Sequence, residues 1–596
     1  MCGLVAVWQR AKVDCKLANA ALQSLTHRGP DAQASTLHED GRLYLGHARL
    51  KIIDTGDASN QPFMSPCGRW VLIYNGEIYN FCELRRDIGD RWQWRTSGDT
   101  EVLLAAWALW GPDCLDRLVG MFAFAVYDAV DRALFMVRDR FGIKPLYHLA
   151  TASGQVFASE IPPILQFQDV VRADEGTIRT YLEAGLYDHS DRTFFRGVHA
   201  LEAGTFMRVD LRAGSAETRR WYRFADCIPD LAGANADELT NETERLLLQA
   251  VSSHLIADVQ TGLNVSGGVD SSMLVRSAIG ELGHAHLFTQ DYEGYSELPW
   301  VLEVADGGTL HVAQLDLTAI TGYLPFTVSS QAEPFGGVPV CGYNLLYELA
   351  VQHNVTVLLD GNGIDETFLG YKRYHLLYAQ SAVDPAIREQ RASDFAEFWG
   401  QRPLSVSSTA SIDGSSGLRP ETISQQLISA EPAEMIPDFS FEDPIRQAAA
   451  IDLLHTKVPR SLRFNDRLSM AHSRELRVPF LDHRLAEFAF GIPTHHLLTK
   501  FGSKALFRSI VARRAPRSVA YAPKRSVQSP QREWLAGAWR TMIEDILSSE
   551  SFADRGWVDP DLARRAYARY LDGEQENSFF IWQWLSLELW ARRYLD

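Results

Sequence analysis

The stretch TGLNVSGGVDSSMLVRSAIGELG, residues 261–283, decides the fold of the larger part of this chain. A short apolar run gives way to a Gly-Gly loop, SGGVDSS (266–272), and then to MLVRSAIGELG, whose apolar residues recur at helical spacing. Another strand-like run, HLFTQDY, comes next, and VTVLLDGNGIDETFLGY follows further on. Strand, loop, helix and strand in alternation predict a parallel, doubly wound α/β sheet. The loop lies where backbone N–H groups and a helix dipole can cradle an anion. It lacks the Gly-Lys-Ser/Thr ending of a Walker A loop. A Gly-Gly turn before a helix is also common, so the loop alone leaves a purely structural role open.

Working outward, the chain on the N-terminal side reads differently. LYLGHARLKIID, WVLIYNGEIYN, GMFAFAVYD, ALFMVRDRFG and GQVFASE are β-rich runs bounded by Gly, Asp and Asn, separated by helical stretches such as TEVLLAAWALWG. This predicts a mixed α+β domain over 2–210, a polar linker over 211–238 and a second domain over 239–596. On the C-terminal side, LSVSSTASIDGSSG and SAEPAEMIPDFSFEDP interrupt the pattern, and an exposed loop or insertion is expected across 380–445. The remainder is mostly helical, and the aromatic end SFFIWQWLSLELWARRYL reads as core or subunit contact.

Size and charge narrow the function classes. A chain of 596 residues is too long for one hydrophobic core. Its formal net charge of −17 argues against nucleic acid as the main partner. No run of about 18 apolar residues suggests a membrane span, and residues 1–10 do not read as a signal peptide, so a cytoplasmic protein is expected. Seven scattered cysteines without a CxxC pair form neither a disulfide framework nor an evident zinc site.

One cysteine is placed for chemistry. Removal of Met1 would leave Cys2 with a thiol and a free α-amine on one residue, a nucleophile with its own base. Asn75 in NGEIYN can donate to an oxyanion, and Gly76 allows close backbone approach. Arg49 in HARL can clamp a carboxylate, while Asp99 in SGDTEV and Glu77 can hold an α-ammonium. Those are the handles of a free amino acid amide, and glutamine fits them.

MCG, HRGPDA, HARLKIID, NGEIYN, SGDTEV, GMFAFAVYD and RDRFGIKPLY, in this order over about 200 residues, resemble the glutaminase domain of class II glutamine amidotransferases. The resemblance implies an N-terminal nucleophile hydrolase-type sandwich, with Cys2 as nucleophile and Arg49, Asn75, Gly76, Glu77 and Asp99 in the roles above. SGGVDSS is similar to the pyrophosphate loop of N-type ATP pyrophosphatases, which split ATP between its α and β phosphates. Ser266, Gly267, Gly268, Ser271 and Ser272 would then hold pyrophosphate, and Asp270 would be a Mg²⁺ ligand. Asp365 and Glu366 in DGNGIDE (360–366) stand at a strand end, where ligands collect in open α/β sheets. Asp270 and Asp365 make a carboxylate pair suited to Mg²⁺ with phosphate oxygens. Lys504 in GSKALFR, a lone Lys that could equally be solvated surface, would by the same resemblance supply a compact cation for charge developing on phosphate.

A glutaminase domain followed by an ATP pyrophosphatase domain, together with RVPFLD near 477–482, resembles the glutamine-hydrolysing asparagine synthetases. The resemblance implies ATP as a substrate, Mg²⁺, an acyl-adenylate intermediate attacked by ammonia, and nucleotide contacts at Asn264, Asp360 and Gly361, with Gln290 a looser match. It also suggests a homodimer, and the need to retain ammonia implies a channel of small and apolar side chains between the domains. One departure stands out. Asn362 occupies the place of a glutamate that helps deprotonate the attacking ammonium, and Asp360 replaces a serine. Asn362 is no base, so Glu366 or a phosphate oxygen takes the proton, or the acceptor differs. Aspartate is the first expectation for the acceptor. A different carboxylate, such as a uronic acid of a nucleotide sugar, is the second. A glutaminase with an inactive, binding-only second domain is disfavoured by the presence of Asp270, Asp365, Glu366 and Lys504.

Overall fold

The computed structural model describes residues 2–400, 402–403, 417–523, 529–573 and 577–596. Its first half is built on two six-stranded antiparallel sheets, with strands numbered in chain order. The first holds β1 (Cys2–Gln9), β2 (Ala32–His38), β3 (Leu43–Arg49), β8 (Tyr147–Thr151), β9 (Gly154–Ala158) and β10 (Val198–Ala200), in the order β10-β8-β9-β1-β3-β2. The second holds β4 (Phe63–Met64), β5 (Trp70–Ile78), β6 (Gly120–Asp128), β7 (Ala133–Arg138), β11 (Thr205–Asp210) and β12 (Ser215–Arg220), in the order β12-β11-β7-β6-β5-β4.

Side chains alternate between the faces of a strand, and that alternation builds the layers. Leu4, Ala6 and Trp8 of β1 meet Leu45, Ile73 and Ala125 between the sheets. Val5 and Val7 face outward, into the cluster that contains Ala18 and Leu22 of α1 (Cys15–Gln23). On the far side, Tyr74, Phe122 and Phe124 pack against Leu103 and Trp107 of α2 (Asp99–Trp110). The result is helix, sheet, sheet, helix, the expected sandwich. The strand character of residues 2–9 escaped the sequence reading, although it is what puts Cys2 at a strand start.

The chain expected to link the domains is more ordered than a linker. Residues 215–220 pair along their length with β11 as an exposed, Arg-rich edge strand. Charged side chains on an edge blunt its tendency to pair with other chains. The next residues pack on the second half, where Tyr222 donates to Glu487 at 2.9 Å and Phe224 meets Phe490 edge-on. Helix α3 (Ala236–His254) then starts from a capping box of Asn235 and Glu238.

The second half holds a five-stranded parallel sheet of β13 (Thr261–Asn264), β14 (Ala285–Tyr292), β15 (Gly308–Leu315), β16 (Val357–Leu359) and β17 (Glu475–Arg477), in the order β15-β14-β13-β16-β17. After β13 the chain winds outward through α4 (Val269–Leu282) to β14 and β15, then returns to the other side of β13. The strand order therefore reverses between β13 and β16, the kind of crevice where open α/β sheets bind ligands. It is also where the SGGVDSS and DGNGIDE loops leave the sheet.

Part of the expected 380–445 loop is helical. Helix α5 (Pro385–Trp399) has Asp384 as its N-cap, accepting from the Ala386 and Ile387 N–H groups, with Pro385 in its first turn. Its buried Phe395 and its Trp399 pack on His375. The Ser- and Gly-rich core of that expectation, 404–416, lies outside the described residues. The aromatic end is core within this chain: Trp590 of α7 (Phe579–Tyr594) is buried against Phe194 and Phe195 of the first half. Helix α6 (Lys457–Ala471) runs between the halves, following a π-helical turn at Asp452–Thr456.

Candidate active sites

Cys2 opens β1 directly opposite Arg49 on β3. Its nitrogen donates to Asn75 Oδ1 at 2.9 Å, which leaves Asn75 Nδ2 buried without a partner. A buried amide N–H₂ without an acceptor is costly, and an oxyanion would satisfy it. Gly76 is required beside it, because a Cβ there would come within 2.1 Å of the Met121 carbonyl oxygen. Burial pushes the Cys2 thiol above its usual pKa, so forming the thiolate requires a base.

Asp99 accepts from the Tyr74 hydroxyl at 2.9 Å and the Ile78 N–H at 3.0 Å. Glu77 follows Gly76 on β5, and its Oε2 is buried without a partner. Burial raises the pKa of both carboxyls, and for Glu77 the Glu475 and Asp99 carboxylates raise it further. Two buried carboxyls that disfavour each other's charge are stabilised by a cation between them. An α-ammonium supplies one. Arg49 stands opposite Cys2 in register, yet its guanidinium is wrapped by the following loop, donating to the Gly56 carbonyl at 2.8 Å, Asn60 Oδ1 at 2.9 Å and the Asp54 carbonyl at 2.5 Å. A substrate carboxylate must displace some of these acceptors to be clamped.

In the second half, Gly267 has φ +65°, and a Cβ would meet Trp300 backbone at 2.8 Å, so the loop depends on glycine. The Ser271 and Ser272 hydroxyls donate to the Gly268 carbonyl, at 3.2 Å and 2.7 Å. Asp270 and Asp365 converge on one cation: Lys504 Nζ lies 2.7 Å from Asp270 and 2.6 Å from Asp365. Burial would lower the Lys504 pKa, but those two carboxylates outweigh it and hold the ammonium charged. Lys504 adopts the left-handed backbone region, φ 58°, a strain that collects at functional sites. Asp360 accepts from Asn264 Nδ2 at 3.0 Å and Asn362 Nδ2 at 2.7 Å. Glu366 accepts from the Tyr371 hydroxyl at 2.7 Å, and burial together with Asp365 raises its pKa.

Asn264, Ser266, Gly268, Asp270, Ser271, Gln290, Asp360, Gly361, Asp365, Glu366 and Lys504 line one cavity of about 890 Å³, while Gly267 and Ser272 stand behind its wall. That volume is near the upper end of the roughly 300–1,000 Å³ found for small-molecule pockets, enough for two ligands. Tyr187, from the first half, also lines it.

A profile of the asparagine synthase family matches residues 242–592. The chain belongs to that family. A glutamine amidotransferase domain profile matches residues 1–222. A Mycobacterium tuberculosis (strain ATCC 25618 / H37Rv) protein, provisionally named an asparagine synthetase (glutamine-hydrolyzing), is 29% identical over 96% of this chain and 93% of its own. Asparagine synthetase (glutamine-hydrolyzing) 1 of Bacillus subtilis (strain 168) is 27% identical over 99% of this chain and 96% of its own. Amidase chry2 of Gibberella zeae is 25% identical over 90% of this chain and 88% of its own.

Several residues of this asparagine synthase family member escaped the sequence reading. Arg28, in HRGPD, is fully buried and donates from Nε to the Cys2 carbonyl at 3.0 Å and from Nη1 to Glu160 at 2.7 Å and Asp466 at 2.9 Å. Its motif signalled importance without naming a partner, because Asp466 is 438 residues away. Gly370 is a second, since a Cβ would lie 1.9 Å from Asp365 Oδ1 and 2.1 Å from Lys504 Cε. On α6, Ser461 donates to Asn362 Oδ1 at 3.1 Å, and Lys457 sits 3.4 Å over the Tyr371 ring.

Proposed function

We propose that the protein hydrolyses glutamine at Cys2 and uses the ammonia to amidate a carboxylate activated as its acyl-adenylate. With Met1 removed, the Cys2 α-amine, held by Asn75 Oδ1, takes the thiol proton through a water. The thiolate attacks the glutamine carboxamide, and the oxyanion is met by Asn75 Nδ2 and the Gly76 N–H. Asp99 and Glu77 take the α-ammonium, and Arg49 the α-carboxylate. Ammonia leaves, and water then hydrolyses the thioester to glutamate.

In the 890 Å³ cavity, an acceptor carboxylate oxygen attacks the α-phosphorus of ATP. Pyrophosphate departs into the 266–272 loop, with Lys504 balancing its charge. Asn264, Asp360, Gly361 and Gln290 line the nucleotide's share of the cavity. Asp270 and Asp365 are two hard oxygen donors that would hold Mg²⁺ if the Lys504 ammonium moved from between them toward the phosphates; bound there, it would neutralise charge on the phosphates. Ammonia then attacks the acyl carbon, AMP leaves, and Glu366 or a phosphate oxygen accepts the proton.

Aspartate is the first acceptor, by the names of the asparagine synthetase relatives. Arg460 lines the cavity on the same helical face as Lys457, Ser461 and Phe464, with no hydrogen bond or ion pair to another described residue. It is available for a second anionic group on the acceptor, which aspartate has. A second reading, another carboxylate such as a uronic acid, is favoured by Asn362, whose amide is spent on Asp360 and Ser461.

The single observation behind this reading is the convergence of Asp270, Asp365 and Lys504 beside the pyrophosphate loop, in the chain that also sets Cys2 against Asn75 and Arg49. Cys2→Ala tests it: glutamate release should vanish while ammonium chloride still drives ATP-dependent amidation. Retention of glutaminase activity would refute the nucleophile assignment.

A further inference from the structure

Arg477, the first residue of RVPFLD, ends β17 in the second half and is fully buried. Three of its hydrogen bonds are short and fixed: Nε donates to Glu475 at 2.6 Å, and Nη1 to the His254 and Ile256 carbonyls, both at 2.7 Å. These leave Nη2, which makes no hydrogen bond and lies at ion-pair distance, 3.5 Å, from Glu77 Oε1 of the first half. Among the described residues, Arg477 is the sole cation within ion-pair distance of Glu77. Burial and the neighbouring Glu475 and Asp99 carboxylates raise the Glu77 pKa well above the ordinary range, and Arg477 pulls in the opposite direction. The Arg477 carbonyl meanwhile accepts the Asp360 N–H at 2.9 Å, at the head of the DGNGIDE loop.

We infer that Arg477, supplied by the synthetase half, is a positioning residue of the glutaminase site: it fixes the Glu77 carboxyl group where it faces the α-ammonium of glutamine, from a backbone that also anchors the adenylation loop. The inference rests on the proposed role of Glu77. It means that the glutamine pocket is complete only while β17 is docked beneath it. The guanidinium is held by three bonds before substrate arrives, so little ordering is left to be done on binding.

The test compares glutamine with glutaramate, the same amide lacking the α-amino group, in wild type and Arg477→Gln, following ammonia release. Loss of a charge-assisted contact should raise the KM for glutamine roughly 10- to 100-fold with little change in kcat. Glutaramate turnover should be unaffected, because it has no ammonium for Glu77 to hold. A merely structural role would depress both substrates together, and equal losses, or no loss with glutamine, would overturn the inference. In Glu77→Gln, adding Arg477→Gln should cost nothing further. Should Arg477→Gln fail to fold, Arg477→Lys, which keeps the charge but cannot make the three anchoring bonds, is read in the same assay. A wild type inactive on glutamine would instead sink the glutaminase reading, and this inference with it.

Discussion

At the scale of single residues, the proposed chemistry depends on groups kept unsatisfied until substrate arrives. Asn75 Nδ2 is one. Asn75→Ala should lower the kcat of glutamine hydrolysis by about 10²–10³, the usual cost of one oxyanion donor, while ammonia-driven amidation stays unchanged; equal loss of both would mean the residue supports the fold instead. Gly370 tests the other centre. A Cβ 1.9 Å from Asp365 Oδ1 must push apart the Asp365 and Lys504 pair, so Gly370→Ala should abolish ATP-dependent amidation and spare glutaminase activity. Much of this was legible in the sequence, because NGEIYN and SGGVDSS carry their chemistry within a few residues. Arg28, Arg477 and Gly370 were not, since each acts through a partner distant in sequence or through empty space a Cβ would fill, and neither leaves a local pattern. The wrapping of Arg49 by its own loop was equally invisible: the charge can be read, but not its acceptors.

At the scale of elements, the sandwich is held by period-two strands and by helix α2, whose Trp107 is 1% exposed against Phe124 and Phe135. Trp107→Ala should cost about 3–5 kcal/mol, read as a lower urea midpoint in the first half's unfolding transition. Because Asp99 begins the same helix, a weakened α2 should also raise the glutamine KM. Strands and helices with strong alternation were legible; β1, β12 and α5 were not. Residues 2–9 are apolar on both faces, because the strand is buried between a helix layer and a second sheet, and such runs lose their alternation. Strand β12 is exposed throughout and owes its form to backbone pairing with β11. The signal for α5 was present in Asp384-Pro385, an N-cap followed by proline at the first helical position, but the polar composition of the surrounding stretch obscured it.

At the scale of the whole molecule, the two centres share walls. Arg28 ties the Cys2 carbonyl to Asp466 on α6, whose pocket-facing Ser461 bonds Asn362. Asp466→Asn should weaken that tie, so that more glutamate is released per amide formed; an unchanged ratio would remove Arg28 and Asp466 from the coupling. The same cluster gives a pH signature. Burial would raise the Glu160 pKa, but His27 and Arg28 more than offset this and hold it well below the ordinary range. A depressed carboxylate contributes stability that is full above its unfolded pKa of about 4.3 and is lost as pH falls toward its folded value. The gap in urea midpoint between wild type and Glu160→Gln should therefore shrink as pH falls below 4; a gap that widens in acid would contradict the assignment. The measurement that tests the central claim most directly is a product assay with glutamine, Mg²⁺-ATP and aspartate, following asparagine, AMP and pyrophosphate together with a control lacking aspartate. The account predicts asparagine formed in step with AMP and pyrophosphate, and only when aspartate is present. Glutamate released with neither asparagine nor aspartate-dependent AMP would contradict aspartate as the acceptor, and the absence of AMP with uronic acids as well would contradict adenylation itself.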